Sequence, residues 1–349
     1  MDENRHNNFD CLRLAAAMFV LVSHQFALTG RREPTPLPGL PGSSLGELGV
    51  LIFFVISGYL VTESWLRDPN PLRFAARRLL RILPGLTVVT LLLVFVLGPL
   101  VTSFDTRGYF ADRLTWDYLR TIYLKIRYVL PGTFTNNPVP LAVNASLWTI
   151  PMEVQWYCVL AGAGMIGILR VRLLVLAAFI VFALVVLTRS GAPDYFRIFG
   201  AFFCAGLCLN LFRDVWSARP VLALCIGAAV SVVAYMAGIY YLSTLSLLAP
   251  AVVLFGTAST PVIRRFGRFG DLSYGVYIYT FPIQQTLVWA TDNRLSYPAG
   301  LALTASLVLV AALLSWHLVE KPALSLKRYL AAKPVVATIP AASALSGTG

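Results

Sequence analysis

Apolar runs about as long as a lipid bilayer is thick recur along the whole chain, and the charge is confined to the breaks between them. Ten runs can be marked, at 9–28, 46–64, 83–101, 146–168, 172–188, 195–212, 219–238, 240–259, 271–290 and 298–319. A membrane-spanning helix needs about 20 apolar residues, because inside lipid each backbone polar group must be satisfied within its own segment. Ten such segments in 349 residues leave little chain for anything else. Charged residues make up 13%, about half the quarter usual in soluble domains. Mean hydropathy is +0.73. A disordered chain, a disulfide scaffold and a soluble nucleic-acid binder are excluded, and no nucleic-acid partner is expected despite a net charge of +12. The expected fold is all-α: a polytopic membrane protein of about ten transmembrane helices.

The basic residues set the expected orientation. Arg73, Arg77, Arg78 and Arg81 follow the second run, Arg170 and Arg172 the fourth, and Arg213 and Arg219 the sixth. Arg264, Arg265 and Arg268 follow the eighth, and Lys321, Lys327 and Arg328 the tenth. Every even-numbered exit is basic, which by the positive-inside rule places these loops and both termini in the cytoplasm. Arg31 and Arg32 are a minor exception. The first run lacks a convincing small-residue cleavage site and reads as a retained helix, not a signal peptide. Five cysteines lie in apolar stretches with no ligand spacing around them, so they read as small buried apolar residues, and no metal site is expected. Residues 1–330 read as one transmembrane domain. The Ala/Ser/Pro-rich stretch 331–349 reads as a disordered tail. A long loop at about 102–145 carries Trp116, Tyr118, Tyr123 and Tyr128, suited either to stacking on a sugar or to anchoring at the lipid interface.

Ionisable residues within the runs are costly and mark function. His24 stands in FVLVSHQFAL, and Arg13 precedes it by 11 residues. At about 100° and 1.5 Å per residue the two share one helix face, roughly 16 Å apart. Arg13 either snorkels or pairs with Asp10, or else joins His24 in a common cavity. Glu153, in SLWTIPMEVQWY, falls about two turns into the membrane at a depth similar to His24. A carboxylate there could orient the imidazole, bind an acceptor hydroxyl, or serve only as a hydrogen-bonded structural group. Ser57-Gly58 permits close helix approach. Arg77, Arg78 and Arg81 form either a set of topology charges or a cytoplasmic anion site suited to phosphates, and both can hold at once. Pro84 is expected to open the third helix.

Six segments in this order resemble the acyltransferase-3 family of polytopic membrane acyltransferases: FDCLRLAAAMFVLVSH, GVLIFFVISGYL, RRLLRILP, VNASLWTIPMEVQWY, LSYGVYIYTFPIQQ and VEKP. The resemblance covers nearly the whole chain. Where many members carry a helix-nine histidine this chain has Thr280, so no such role is assigned. The resemblance implies transfer of an acyl group, usually acetyl from acetyl-CoA, to a hydroxyl of a carbohydrate, a lipid-linked glycan or a related acceptor. Acetyl-CoA is then a substrate, and no bound cofactor is expected. On this reading His24 is the general base or an acyl carrier. Glu153 orients it or holds the acceptor, and Arg13 helps hold the donor. Arg77, Arg78 and Arg81 bind acyl-CoA, with Ser57, Trp148 and Tyr277 in support. The implied place is a bacterial cytoplasmic membrane, in contact with lipid. Two alternatives stay open: an acyltransferase acting on a small molecule such as a macrolide, and a glycan-lipid transporter that performs no acyl transfer.

Overall fold

The computed structural model describes residues 7–35, 41–188, 192–261, 263 and 270–330. The basic cluster at 264, 265 and 268 and the expected tail at 331–349 lie outside them. Among the described residues there are no strands, only two isolated bridges in the long loop, and ten helices of 16 residues or more. In chain order these are α1 (Phe9–Leu28), α2 (Leu45–Arg67), α3 (Pro71–Val101), α4 (Thr149–Met165), α5 (Arg172–Leu187), α6 (Tyr195–Leu211), α7 (Pro220–Met236), α8 (Tyr240–Thr257), α9 (Ser273–Ala290) and α10 (Tyr297–Tyr329). Five of them, α1, α2, α3, α8 and α10, are long and apolar enough to cross a membrane. Helices α5, α6 and α7 are apolar but shorter. The chain is a membrane protein.

Two helices run beyond the apolar stretches that announce them. The third starts at Pro71, not at Pro84. Asn70 caps it by accepting from the Arg73 amide at 3.0 Å, and Pro71 occupies the first turn, where no amide hydrogen is needed. Pro84 therefore sits inside the helix, and the arginine-rich stretch is part of α3. The last helix continues to Tyr329 through a wide π turn at Trp316–Glu320. Both extensions are too polar for a hydropathy window but satisfy the helix rules.

Helix α2 is the hub. Two-thirds of its most apolar window is buried, twice the share in α1, α8 or α10. It crosses α6 at a pair of glycines. A Cβ on Gly58 would stand 1.9 Å from the Phe203 carbonyl oxygen, and one on Gly206 would stand 2.2 Å from that of Val55. Backbones meet this closely in membranes where small residues let dispersion replace the hydrophobic drive. Polar clasps add direction. Gln284 of α9 donates to Gln25 of α1 at 2.9 Å, and Thr304 of α10 donates to the same Gln25 oxygen at 3.2 Å. Pro282 leaves the Ile278 carbonyl without its helical donor, and Asn144 fills the gap at 2.8 Å. The loop segment just before α4 is thereby fixed to the middle of α9.

The long loop is ordered and folds back on itself. Its Tyr118 is fully buried, while Trp116, Tyr123 and Tyr128 are exposed. Of the cysteines only Cys208 is buried; Cys158 and Cys225 are exposed and the others half-buried, because the apolar helix faces that carry them do not all point into the protein.

Gly58→Ala is expected to destabilise the fold by about 1–3 kcal/mol through overpacking, read as a lower unfolding temperature in detergent. Gly162→Ala, with nothing within 4 Å of its new methyl, should be neutral or stabilise by up to about 1 kcal/mol.

Candidate active site

A cavity of about 500 Å³ opens between α1, α2, α3, α4, α9 and the C-terminal part of α10. One end is charged. Asp10, Arg13, Arg78, Arg81 and Asp271 line it together with Lys321 and Lys327. The other end is walled by Val50, Phe53, Ile150, Thr149 and Tyr277. Ser57, Glu153 and Tyr157 line it as well.

The charged end is an ion network that joins four helices. Asp271, just before α9, takes Arg81 of α3 at 2.7 Å and Arg13 of α1 at 3.2 Å. Arg81 also meets Glu320 of α10 at 3.0 Å, and Arg13 meets Asp10 at 3.4 Å. Ser315 donates to Glu320 at 3.0 Å, and the Ser273 hydroxyl donates to Asp271 at 2.5 Å. Burial alone would raise the Asp271 carboxyl. Arg81, Arg13 and Ser273 override it and hold it below its ordinary 3.8. Gly270, at φ +91°, packs against the Trp316 indole where a Cβ would come within 2.1 Å. A glycine thus brings the chain into Asp271.

The three arginines expected to form one anion site have different fates. Arg77 shares Asp68 with Arg73, at 2.5 Å each, and does not line the cavity. Arg81 lines it but is paired twice. Arg78 lines it and has no ion pair among the described residues. Its Nη2 donates to Ser64 at 3.3 Å, its Nε is buried without a partner, and its guanidinium lies over the Phe74 and Tyr157 rings.

Glu153 and His24 are not in contact. Ser57 donates to Glu153 Oε1 at 2.5 Å, and the Tyr157 hydroxyl donates to the same oxygen. Ser57 is near the middle of the 23 residues in α2. His24 lies near the opposite end of α1 from Arg13, with Nδ1 3.5 Å from Ser146 Oγ and its ring edge-on to Phe281. It does not line the cavity, but only one residue separates it from the wall. Tyr277 donates to the Ser146 carbonyl at 2.5 Å. That uses the tyrosine proton, so the Thr149 hydroxyl is the donor in the 2.6 Å contact with Tyr277. Trp148 stands beside this layer, packed on Tyr195 and Phe199. Thr280 is buried and donates to the Val276 carbonyl at 2.6 Å.

Sequence reasoning missed Asp271, Glu320, Tyr157, Thr149 and Ser146. Tyr157 carried a signal, standing one helical turn after Glu153. Asp271 and Glu320 sit at the edges of apolar runs, where acids pass for ordinary boundary residues.

The geometry is that of a membrane enzyme with a charged entrance and a buried polar interior. The acyltransferase domain family model matches residues 6–319, and the chain belongs to that family. It is 32% identical over 331 residues to an O-acetyl transferase of Shigella phage Sf6, covering 91% of this chain and 96% of that one. It is 27% identical to nodulation protein 10 of Rhizobium leguminosarum bv. viciae, covering 94% and 95% of the two chains. No solved structure matches. The chain is a membrane-bound O-acyltransferase.

Asp271→Asn should cost on the order of 1–3 kcal/mol at pH 7, less than a fully orphaned buried charge because Glu320 and Asp10 remain. The folded-state carboxyl is depressed, so its contribution is present above the ordinary 3.8 and is lost as the pH falls through the lower folded-state value. The stability gap between wild type and variant should be constant from pH 8 to about pH 5 and close below 3.8, as followed by thermal unfolding.

Proposed function

We propose that the chain transfers an acetyl group from acetyl-CoA to a hydroxyl of a cell-surface or lipid-linked carbohydrate, in a bacterial cytoplasmic membrane. On this reading all ten helices cross the membrane, and the charged end of the cavity and both termini face the cytoplasm. The basic even-numbered exits support that orientation. One observation carries the assignment. A cavity with an unmatched arginine at its charged end stops at Tyr277 and Thr149, and Tyr277 is bonded to the residue that holds His24. Arg78 is the cation for a donor phosphate. Arg13 and Arg81 fix the cavity through Asp271. Arg77, spent on Asp68, contributes through the shape of the α3 start.

In the reaction, Ser146 engages His24 Nδ1, which leaves Nε2 to take the proton of the acceptor hydroxyl. The acceptor oxygen forms a bond to the acetyl carbonyl carbon, the carbon–sulfur bond breaks, and the proton on His24 passes to the CoA thiolate. In the acyl-carrier variant Nε2 attacks the acetyl carbonyl carbon, the carbon–sulfur bond breaks and CoA leaves as its thiolate. The acceptor oxygen then attacks the same carbon, the carbon–Nε2 bond breaks, and the hydroxyl proton passes to the freed nitrogen, matching the charge of the released thiolate. Placing His24 behind the Ser146–Tyr277 layer favours this variant for an acceptor that never meets CoA. Glu153 Oε1 is occupied by two hydroxyls; in direct transfer, where the acceptor enters the cavity, Oε2 is the atom that accepts from its hydroxyl. Orientation of His24 by Glu153 has no geometric support. The O-acetyl transferase named among the relatives supports acetyl as the group and oxygen as its destination.

The test is purified protein in nanodiscs with acetyl-CoA, scored for binding and for CoA release. His24→Ala should bind acetyl-CoA as wild type does and lose CoA release by about 10²-fold or more. Arg78→Ala should weaken acetyl-CoA binding by about tenfold or more, the loss of a charge-assisted contact. Full release by His24→Ala would sink the assignment. Failure of folded wild type to bind acetyl-CoA would favour a glycan-lipid transporter.

A further inference from the structure

The C-terminal part of α10 contributes a face to the cavity that the acyl-transfer reaction leaves unused. His317, Lys321, Leu324 and Lys327 all line it. Their spacing of four, three and three is that of a single helical stripe. The π turn at Trp316–Glu320 sets this stripe. It carries about one more residue per turn than an α-helix and so rotates the remainder of α10 about its axis. Its last residue, Glu320, is turned inward, 2% exposed, and bonded to Arg81. Lys321, the next residue, faces the cavity. The His317 ring donates from Nδ1 to the Leu313 carbonyl at 2.9 Å, so its donor is spent on its own helix and the anion-binding groups of the stripe are the two lysines.

The charge distribution at this end is uneven. Asp10, Asp271 and Glu320 all lie with Arg13 and Arg81. Arg78 and Lys321 have no ion pair among the described residues. Arg78 and Lys321 therefore place positive charge between α3 and the α10 stripe, with Glu153 the cavity carboxylate that acts on Arg78. The stripe runs ten residues, about 15 Å along the axis, long enough for several phosphates in succession.

We propose that Lys321 and Lys327 on the α10 stripe form a polyphosphate subsite that holds the 3′-phosphate and diphosphate end of the acyl-CoA donor. This rests on acyl-CoA being the donor. Arg78 then takes the phosphate nearest the cavity, and the thioester points inward toward Tyr277. The same chemistry would suit an anionic lipid headgroup, so the test separates the two sources.

The experiment measures CoA and dephospho-CoA affinity by calorimetry, in nanodiscs of phosphatidylcholine alone and with phosphatidylglycerol added. Wild type is compared with Lys321→Gln/Lys327→Gln and with Lys321→Arg/Lys327→Arg, each checked for wild-type elution and unfolding temperature. The glutamine pair should bind CoA about tenfold or more weakly in both lipids, with a smaller loss for dephospho-CoA, and the arginine pair should keep most of the affinity. Unchanged CoA affinity in the glutamine pair overturns the proposal. So does a loss that appears only with phosphatidylglycerol, which would assign the lysines to lipid. Wild type that binds no CoA in either lipid fails the donor assignment itself, and the subsite falls with it.

Discussion

A charge inside a membrane protein is tolerated only with a partner, and that constraint organises the charged end of this molecule. Arg81 belongs to α3, Arg13 to α1, Asp271 to the start of α9 and Glu320 to α10. No one of these helices can be displaced without leaving a charge stranded in a medium of low dielectric, where the penalty is several kcal/mol per ion. The bundle is thus pinned at one end by ions and at α2 by the crossing of Gly58 with Gly206. Between these two fixed points the cavity has room to exist. A cavity in lipid-facing helices would otherwise collapse, since apolar packing alone has no preferred spacing.

The same network decides which cations are available for chemistry. Sequence distance treats Arg77, Arg78 and Arg81 alike, and the fold does not. Asp68 terminates α2 and captures Arg73 and Arg77, so its carboxyl is held below the usual range by their hydrogen bonds. Asp271 and Glu320 capture Arg81. The cation left over is Arg78, whose guanidinium rests on two aromatic faces instead of a carboxylate. Stacking of this kind leaves the planar fork of an arginine able to grip an anion.

The helical architecture was legible because apolar length is a one-dimensional property. The marked runs reproduce α1 at both ends and come within three residues at both ends of α2 and of α4 through α9. The two large misses, the start of α3 and the end of α10, share a cause. Both are amphipathic extensions whose polar faces line the cavity or its mouth, and a hydropathy window discards them. The site was legible in part. Arg13 and His24 share a helix because an 11-residue spacing nearly closes three turns. Arg13 pairs with Asp10 and lines the cavity, but His24 does not line it, so the cavity expected to be common to the two is not what the fold forms. Spacing could not show contact between helices. Glu153 and His24 were read at one depth from their distance to the ends of their runs, yet the carboxylate meets Ser57 at the centre of α2 while the imidazole meets Ser146 in the approach to α4.

That separation bears on how an acyl group could travel. Tyr277, Thr149 and Ser146 form a layer whose protons are spoken for: Thr149 donates to Tyr277, and Tyr277 donates to the Ser146 carbonyl. The layer is fixed from behind, because Asn144 is tied to the carbonyl that Pro282 releases in the middle of α9. On the proposed function, a donor thioester in the cavity and the His24 imidazole are divided by this layer, a wall one residue thick held by hydrogen bonds. The layer carries one hydroxyl–carbonyl bond, that of Tyr277 to Ser146, and exchange of such a bond costs about 1 kcal/mol when a replacement partner is at hand. Pro282 sits five residues beyond Tyr277 in the same helix, and the Ile278 carbonyl it releases is taken by Asn144, so this stretch of α9 is tied to the approach to α4 instead of to its own ladder.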